Sequence, residues 1–236
     1  MREKVAGETD FANVHYDKAH WEILQEKREK AKSILMVIPN LTPRVYGSIA
    51  RGDVTPHSDI DIIIPFSIDE YQLLPVLENF DAEPLLMREV VQATPLAALK
   101  AVITLSSEIS LTFPLVHLFP REHNFFRFGG SIDLEGLHAK TRVPGVNKKL
   151  KLVEPTPEGH IETRITRENA SYAAKLLDIT IETIYERIRV LERRDKVGRT
   201  GIFLKRTLGP DESFSDVLRQ IEAMNPSAKR RISREK

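Results

Sequence analysis

Two aspartates, Asp59 and Asp61, stand one residue apart in the apolar run "DIDIIIPF". In a β-strand residues i and i+2 share a face, so the two carboxylates would lie side by side about 7 Å apart. Paired carboxylates of this kind bind magnesium, which prefers oxygen ligands and keeps waters and substrate phosphates in its shell. Two such ions activate an attacking hydroxyl and stabilise the leaving oxygen in phosphoryl transfer. The alternative is that both aspartates end a strand in water, balanced by nearby arginines.

The residues before this pair favour a phosphate ligand. Gly47 permits a tight turn and the close approach of a phosphate to the backbone. Ser48 is expected to cap the short helix "IARG", whose first N–H groups would face an anion. Arg51 has two interpretations, a phosphate contact or a salt bridge that braces the loop. Asp53 and His57 are interpreted as exposed loop residues.

The stretch "YGSIARGDVTPHSDIDIII" resembles the active-site motif of the DNA polymerase β-type nucleotidyltransferase superfamily. The shared pattern is an apolar residue, Gly, Ser, a spacer, and then Asp-apolar-Asp-apolar, and the matching positions are Tyr46, Gly47, Ser48, Ala50, Arg51, Gly52, Ser58, Asp59, Ile60 and Asp61. The resemblance implies an enzyme that moves a nucleoside monophosphate from an NTP to an acceptor hydroxyl. It also implies that Asp59 and Asp61 hold catalytic Mg²⁺ or Mn²⁺ and that Gly47, Ser48 and Arg51 contact the nucleotide.

Members of this superfamily use a third carboxylate on a later strand. The strand in the expected place, "EISLTFPLV", carries Ser110 and Thr112 where that aspartate is expected. Glu108 at the start of this strand, or Glu89 in "LMREVVQ", is the alternative third carboxylate. The alternative function, which the lack of a third carboxylate would favour, is a DNA-binding transcriptional regulator whose nucleotidyltransferase domain is a nucleotide sensor or an inactive relic.

Periodic apolar residues predict an amphipathic helix from Asp17 to Ile38, after a lead-in without periodicity. "RVYGS" and "SDIDIIIPF" predict strands, and "SIDEYQLLPVLENF" predicts a helix capped by Ser67. "PLLMREVVQA" and "EISLTFPLVHLF" predict strands, and "PLAALKAVITL" between them predicts a helix opened by Pro95. The fold class is therefore α+β, a mixed sheet with flanking helices over residues 15–120.

The rest of the chain predicts further modules. Residues 121–165 are predicted to form a connecting subdomain that is basic, rich in Gly and Pro, and contains short strands at best. Over residues 166–210, a helix, a turn, a second helix and a Gly-containing hairpin predict a winged helix-turn-helix domain. A basic tail, 211–236, follows. The candidates for nucleic-acid contacts are Thr180, Thr183, Arg187 and Arg199. A purely structural or protein-binding role is the alternative.

Composition excludes several classes of protein. The chain has 236 residues, 41% hydrophobic and 29% charged, which is typical of a folded protein and not of a disordered one. It contains no cysteine, which excludes disulfides, thiolate zinc sites and a cysteine nucleophile. No apolar run approaches the roughly 18 residues that span a bilayer, and the N-terminus lacks the apolar core of a signal peptide. We therefore expect a cytoplasmic protein with an NTP substrate and no membrane contact. A net charge of +1 argues neither for nor against DNA or RNA as a partner, and a homodimer is also a possible state.

Overall fold

The computed structural model describes residues 11–78, 87–198 and 201–233. Within these ranges the strands are β1 (Phe11–His15), β2 (Arg44–Tyr46), β3 (Ile60–Ile63), β4 (Met87–Gln92), β5 (Lys100–Thr104), β6 (Ile109–Pro114), β7 (Ser131–Ile132), β8 (Gly145–Val146), β9 (Lys151–Thr156), β10 (Gly159–Arg164) and β11 (Leu204–Thr207). The helices are α1 (Lys18–Val37), α2 (Ser48–Arg51), α3 (Leu74–Glu78), α4 (Pro120–Phe128), α5 (Leu134–His138), α6 (Ala170–Leu176), α7 (Ile181–Val197), α8 (Phe214–Met224) and α9 (Pro226–Ile232). Among these described helices, none has the length and apolar character to span a membrane.

The described chain divides into two compact units. The first unit comprises residues 11–32, 45–58 and 123–198, and the second comprises residues 33–44, 59–78, 87–122 and 201–233. The segment predicted as the nucleotidyltransferase domain, residues 15–120, therefore has residues in both units.

The first unit contains an antiparallel sheet in the order β1-β10-β9-β8. Phe11 pairs with Thr163 and Gly159 pairs with Thr156. Two expectations were wrong here. The predicted lead-in contains β1, and the subdomain expected to hold short strands at best contains β9 and β10, each six residues long.

The helices α6 and α7 pack over the apolar side chains of the first unit. Ile184, Ile188 and Leu191 are buried in one cluster with Ala173 and Leu152. The helix–turn–helix pair of the prediction is therefore present.

The predicted wing is absent from the described part of this segment, so the hairpin prediction was wrong. α7 continues through Val197, and Gly198 occupies its C-cap. The next strand, β11, pairs antiparallel with β4, with Leu204 opposite Gln92. A strand needs a hydrogen-bonding neighbour, and the neighbour of β11 comes from a distant part of the sequence.

The second unit contains a sheet in the order β11-β4-β5-β6-β3. β3 runs parallel to β6 and the other pairs are antiparallel, so the sheet is mixed, as predicted. One face is apolar: Ile62, Ile103 and Phe113 are fully buried, and Phe113 meets Phe214 of α8 edge to face. The helix expected after Pro95 is instead β5, so that prediction was wrong.

The segment predicted as a basic tail forms α8 and α9 through Ile232. The Ser213 hydroxyl caps α8 by accepting from the Asp216 N–H at 3.0 Å. Arg231 is buried and donates to the His117 carbonyl at 2.6 Å and to the Glu122 carboxylate at 2.9 Å.

Candidate active site

The two aspartates flank the first residue of β3 in the second unit. Asp59 directly precedes the strand and Asp61 is its second residue. Ile60 and Ile62 are fully buried on the apolar face, so the alternation of the strand places both carboxylates on the opposite face. Asp59 is exposed and Asp61 is half-buried.

The neighbouring strand β6 supplies the polar groups beside this pair. Asp61 lies opposite Ser110 in the parallel register, and the Ser110 hydroxyl donates to Asp61 Oδ1 at 3.1 Å. The Ile60 N–H donates to the Glu108 carbonyl at 2.7 Å, so the backbone of Glu108 runs beside Asp59. The structure therefore places Glu108 next to the aspartates in the register.

Glu89, the other candidate for a third carboxylate, is engaged elsewhere. It lies on β4, which β5 and β6 separate from β3 in the sheet. Its buried carboxylate forms an ion pair with Lys205 at 3.0 Å and accepts from the Thr207 hydroxyl at 3.1 Å. These contacts indicate a role in attaching β11 to the sheet.

The carboxylates fit a magnesium ion that shares its shell with a ligand. In the described ranges, no group of three or more Asp, Glu, His or Cys side chains could hold a metal. Magnesium does not need such a group, because it is usually bound by one or two carboxylates and completes its octahedron with water and phosphate oxygens. Asp59 and Asp61 provide this kind of donor set.

The Gly47 turn belongs to the first unit. Gly47 has φ 79° and ψ −139° and occupies the N-cap of α2, and Ser48 is the first helical residue. The prediction that Ser48 is the cap was therefore wrong. A Cβ atom added at Gly47 would meet nothing within 4 Å, so the backbone is open at this point. An open glycine backbone is the feature that lets a phosphate approach closely.

Arg51 braces the loop that follows α2. Its Nε and Nη2 each donate to the Asp53 carboxylate at 2.9 Å, and its Nη1 donates to the Gly129 carbonyl at 2.5 Å. Of the two interpretations of Arg51, these contacts match the salt bridge that braces the loop. Only 12% of the Asp53 side chain is exposed, so its interpretation as a solvent residue was wrong. His57 is exposed, as predicted.

A cluster of aromatic and titratable side chains lies in the same unit, and no sequence motif marks it. The Tyr16 hydroxyl hydrogen-bonds His160 Nδ1 at 2.7 Å, and the Tyr16 ring stacks on His20. Burial, with the negative charge of Asp53, raises the pKa of Tyr16, and burial lowers the pKa of His160. Arg142 lies over the Tyr16 ring and donates to the Gly159 carbonyl at 2.7 Å.

The described residues predicted to contact nucleic acid differ in exposure: Thr180 is exposed, Arg187 is half-buried and Thr183 is buried. Thr183 is buried, its hydroxyl lies 3.1 Å from that of Thr180, and Asn124 Nδ2 donates to Thr183 at 3.3 Å. The Arg187 guanidinium lies over the ring of Phe125. Two residues of α4, Asn124 and Phe125, therefore contact this face of α7. Arg199 lies outside the described residues.

A comparison with known protein families agrees with the first part of the chain. The family model of the nucleotidyltransferase domain matches residues 18–108, which include the Gly47 turn and both aspartates. No curated protein and no solved structure matches the chain. The α+β architecture with a mixed sheet and flanking helices fits this domain. The family match supports a nucleotidyltransferase domain in residues 18–108 and ends before the helix–turn–helix pair begins.

Proposed function

We propose that this protein is a metal-dependent nucleotidyltransferase that moves a nucleoside monophosphate from an NTP to an acceptor hydroxyl. The observation that carries the proposal is the carboxylate pair on one face of β3, inside the segment that matches the domain family. The opposite face of the strand carries the fully buried Ile60 and Ile62.

In this proposal Asp59 and Asp61 hold Mg²⁺ or Mn²⁺. A metal bound there supplies positive charge against the phosphate oxygens of the nucleotide. Gly47 and Ser48 contact the triphosphate, which the open backbone at Gly47 supports. Arg51 acts through the loop, since its donors are bound to Asp53 and Gly129.

Glu108 is the proposed general base for the acceptor. The acceptor oxygen attacks the α-phosphorus, the bond from this phosphorus to the bridging oxygen breaks, and pyrophosphate leaves. The Glu108 carboxylate takes the proton of the acceptor hydroxyl. Its place beside Asp59 in the β3–β6 register supports this role, and Glu89 is held by Lys205 and Thr207.

Transfer of radiolabel from the α-phosphate of NTPs tests the proposal. Wild type, Asp59→Asn and Asp61→Asn proteins are incubated with Mg²⁺ or Mn²⁺ and with cellular fractions as acceptors. Asp211→Asn is the matched control, because Asp211 is exposed and lies away from β3 in the sequence. We expect label in an acceptor with wild type and with the control, and none with the two site variants.

A nucleotide-binding regulator without transferase activity is the second candidate. The observation in its favour is that no group of three or more Asp, Glu, His or Cys side chains among the described residues could hold a metal ion. Binding of Mg-NTP by wild type, lost in Asp61→Asn and without transfer to any fraction, would support this candidate over the enzyme.

A further inference from the structure

Arg187 is a half-buried cation that forms no ion pair in the described part of the chain. Its Nε is buried and has no hydrogen-bond partner among the described residues, and it forms no ion pair with any of them. Buried charged groups are usually paired, because desolvation of an isolated charge is unfavourable. The nearest acidic neighbour along the helix, Glu186, is exposed.

Two aromatic rings hold the Arg187 guanidinium in place. Its central carbon lies 5.0 Å from the centre of the Phe125 ring and 5.6 Å from that of Phe128. Such contacts stabilise a cation but use none of its hydrogen-bond donors. Burial lowers the pKa of Arg187, and the neighbouring Tyr46 and Glu186 act in the opposite direction. The guanidinium remains charged at neutral pH, since arginine starts from a very high pKa.

One of the rings that contact Arg187, Phe125, also packs against Tyr46, the residue before the Gly47 turn in the same unit. The Tyr46 ring stacks on Phe125 at 5.8 Å between ring centres, and Tyr46 immediately precedes Gly47. Gly129, which follows Phe128, has no room for a Cβ atom because the Tyr46 hydroxyl would lie 2.1 Å from it. Tyr46, Phe125 and Phe128 therefore form a close-packed group with Arg187 at one end and the turn at the other.

We infer that Arg187 binds a phosphate group of the nucleotide whose triphosphate contacts Gly47 and Ser48. This inference rests on the proposed nucleotidyltransferase function. Phosphate suits the site because a planar guanidinium donates two parallel hydrogen bonds to phosphate oxygens. The role of α7 is then to complete the nucleotide site with Arg187.

Isothermal titration with inorganic tripolyphosphate and with a non-hydrolysable NTP analogue tests this role. Arg187→Met removes the charge and keeps an apolar chain between the rings, and Arg187→Gln is the second variant. Arg189→Gln is the control, because Arg189 is exposed on the same helix. We expect both Arg187 variants to bind both probes about tenfold or more weakly, the range for loss of a charge-assisted hydrogen bond. The control should bind as wild type does.

Three outcomes would overturn the inference. The first is a folded Arg187→Met protein that binds tripolyphosphate as wild type does. The second is weaker binding of the NTP analogue alone, which would assign Arg187 to the base or sugar. The third is unfolding of both variants under native conditions, which would assign Arg187 to the core. Failure of wild type to bind either probe is a different result, because it contradicts the proposed function itself.

Discussion

Ser110 and Asp61 lie opposite each other in the parallel pairing of β6 with β3, and the Ser110 hydroxyl donates to Asp61 Oδ1 at 3.1 Å. The bond fixes the orientation of a carboxylate that the proposal assigns to the metal. Ser110 is also one of the two positions, with Thr112, at which the resemblance to the nucleotidyltransferase superfamily leads us to expect an aspartate. In the proposed reaction the general base must therefore be another residue.

Ser110→Ala should reduce transfer about fivefold, because a hydrogen bond to a partly exposed charged group contributes about 1 kcal/mol. The loss should appear mainly as a higher Mg²⁺ concentration at half-maximal rate, since the bond orients a metal ligand. A magnesium titration of the transfer rate measures both effects. Ser107→Ala, in the exposed loop before β6, is the control. A Ser110→Ala enzyme with the wild-type magnesium curve would show that the bond does not orient Asp61.

Glu108→Gln should reduce transfer roughly a hundredfold, the lower range for loss of a general base. Glu89→Gln should leave the transfer rate within about twofold and reduce stability instead, because Glu89 binds Lys205 and Thr207. The two variants make the same chemical change at the two candidate carboxylates. Transfer rates and urea unfolding of both proteins measure the contrast. A larger loss of rate in Glu89→Gln would reverse the assignment.

Asp53→Asn should lower the free energy of unfolding by about 3 kcal/mol, because it leaves the buried Arg51 guanidinium without its anion. Glu26→Gln breaks an exposed pair with Lys30 and should change stability by only about 0.4 kcal/mol. Urea unfolding of both variants makes the comparison. Equal stabilities would mean that the Arg51–Asp53 pair does not brace the loop.

Stability should depend on pH through Glu70. Its buried Oε1 accepts from the Phe214 N–H at 2.8 Å, and burial raises the pKa of Glu70 above 4.5. The folded protein then retains a proton that the unfolded chain has lost, so stability falls as pH rises from 4.5 through the raised pKa. The variant Glu70→Gln lacks this pH dependence, because glutamine does not titrate.

The free energy of unfolding of wild type minus that of Glu70→Gln should therefore fall across this range and become constant above it. Urea titrations at several pH values measure the difference. Glu182→Gln is the control, because it removes one exposed carboxylate and leaves the contact between Glu70 and Phe214 in place. A flat difference for Glu70→Gln would contradict the prediction.

Parts of the fold follow from the sequence where the determining contacts are local. The helix predicted from Asp17 to Ile38 is observed as Lys18–Val37, because its apolar period is complete within the segment. β1 could not be predicted, since its pairing partner Thr163 lies far along the chain. "PLAALKAVITL" contains good helix formers, yet its second half is β5, because β4 and β6 hydrogen-bond it on both sides.

The residues of the candidate site likewise fall into two groups, those that a local motif identifies and those that only distant contacts place. Asp59, Asp61 and Gly47 were predictable because a short contiguous motif contains them. The burial of Arg51 against Gly129 and of Arg187 against Phe125 was not, since each contact joins distant segments. Helical spacing places Arg187 on a face of α7, but only the packing of α4 shows that this face is covered.

Parallel reactions with NTP labelled at the α-phosphate and at the γ-phosphate test the central claim most directly. Wild type, Asp61→Asn and a chelator-treated sample are compared. The account predicts that α-label enters the acceptor, that γ-label appears in pyrophosphate, and that Asp61→Asn and the chelator abolish both. Transfer of the γ-label to the acceptor, or equal labelling by wild type and Asp61→Asn, would contradict it.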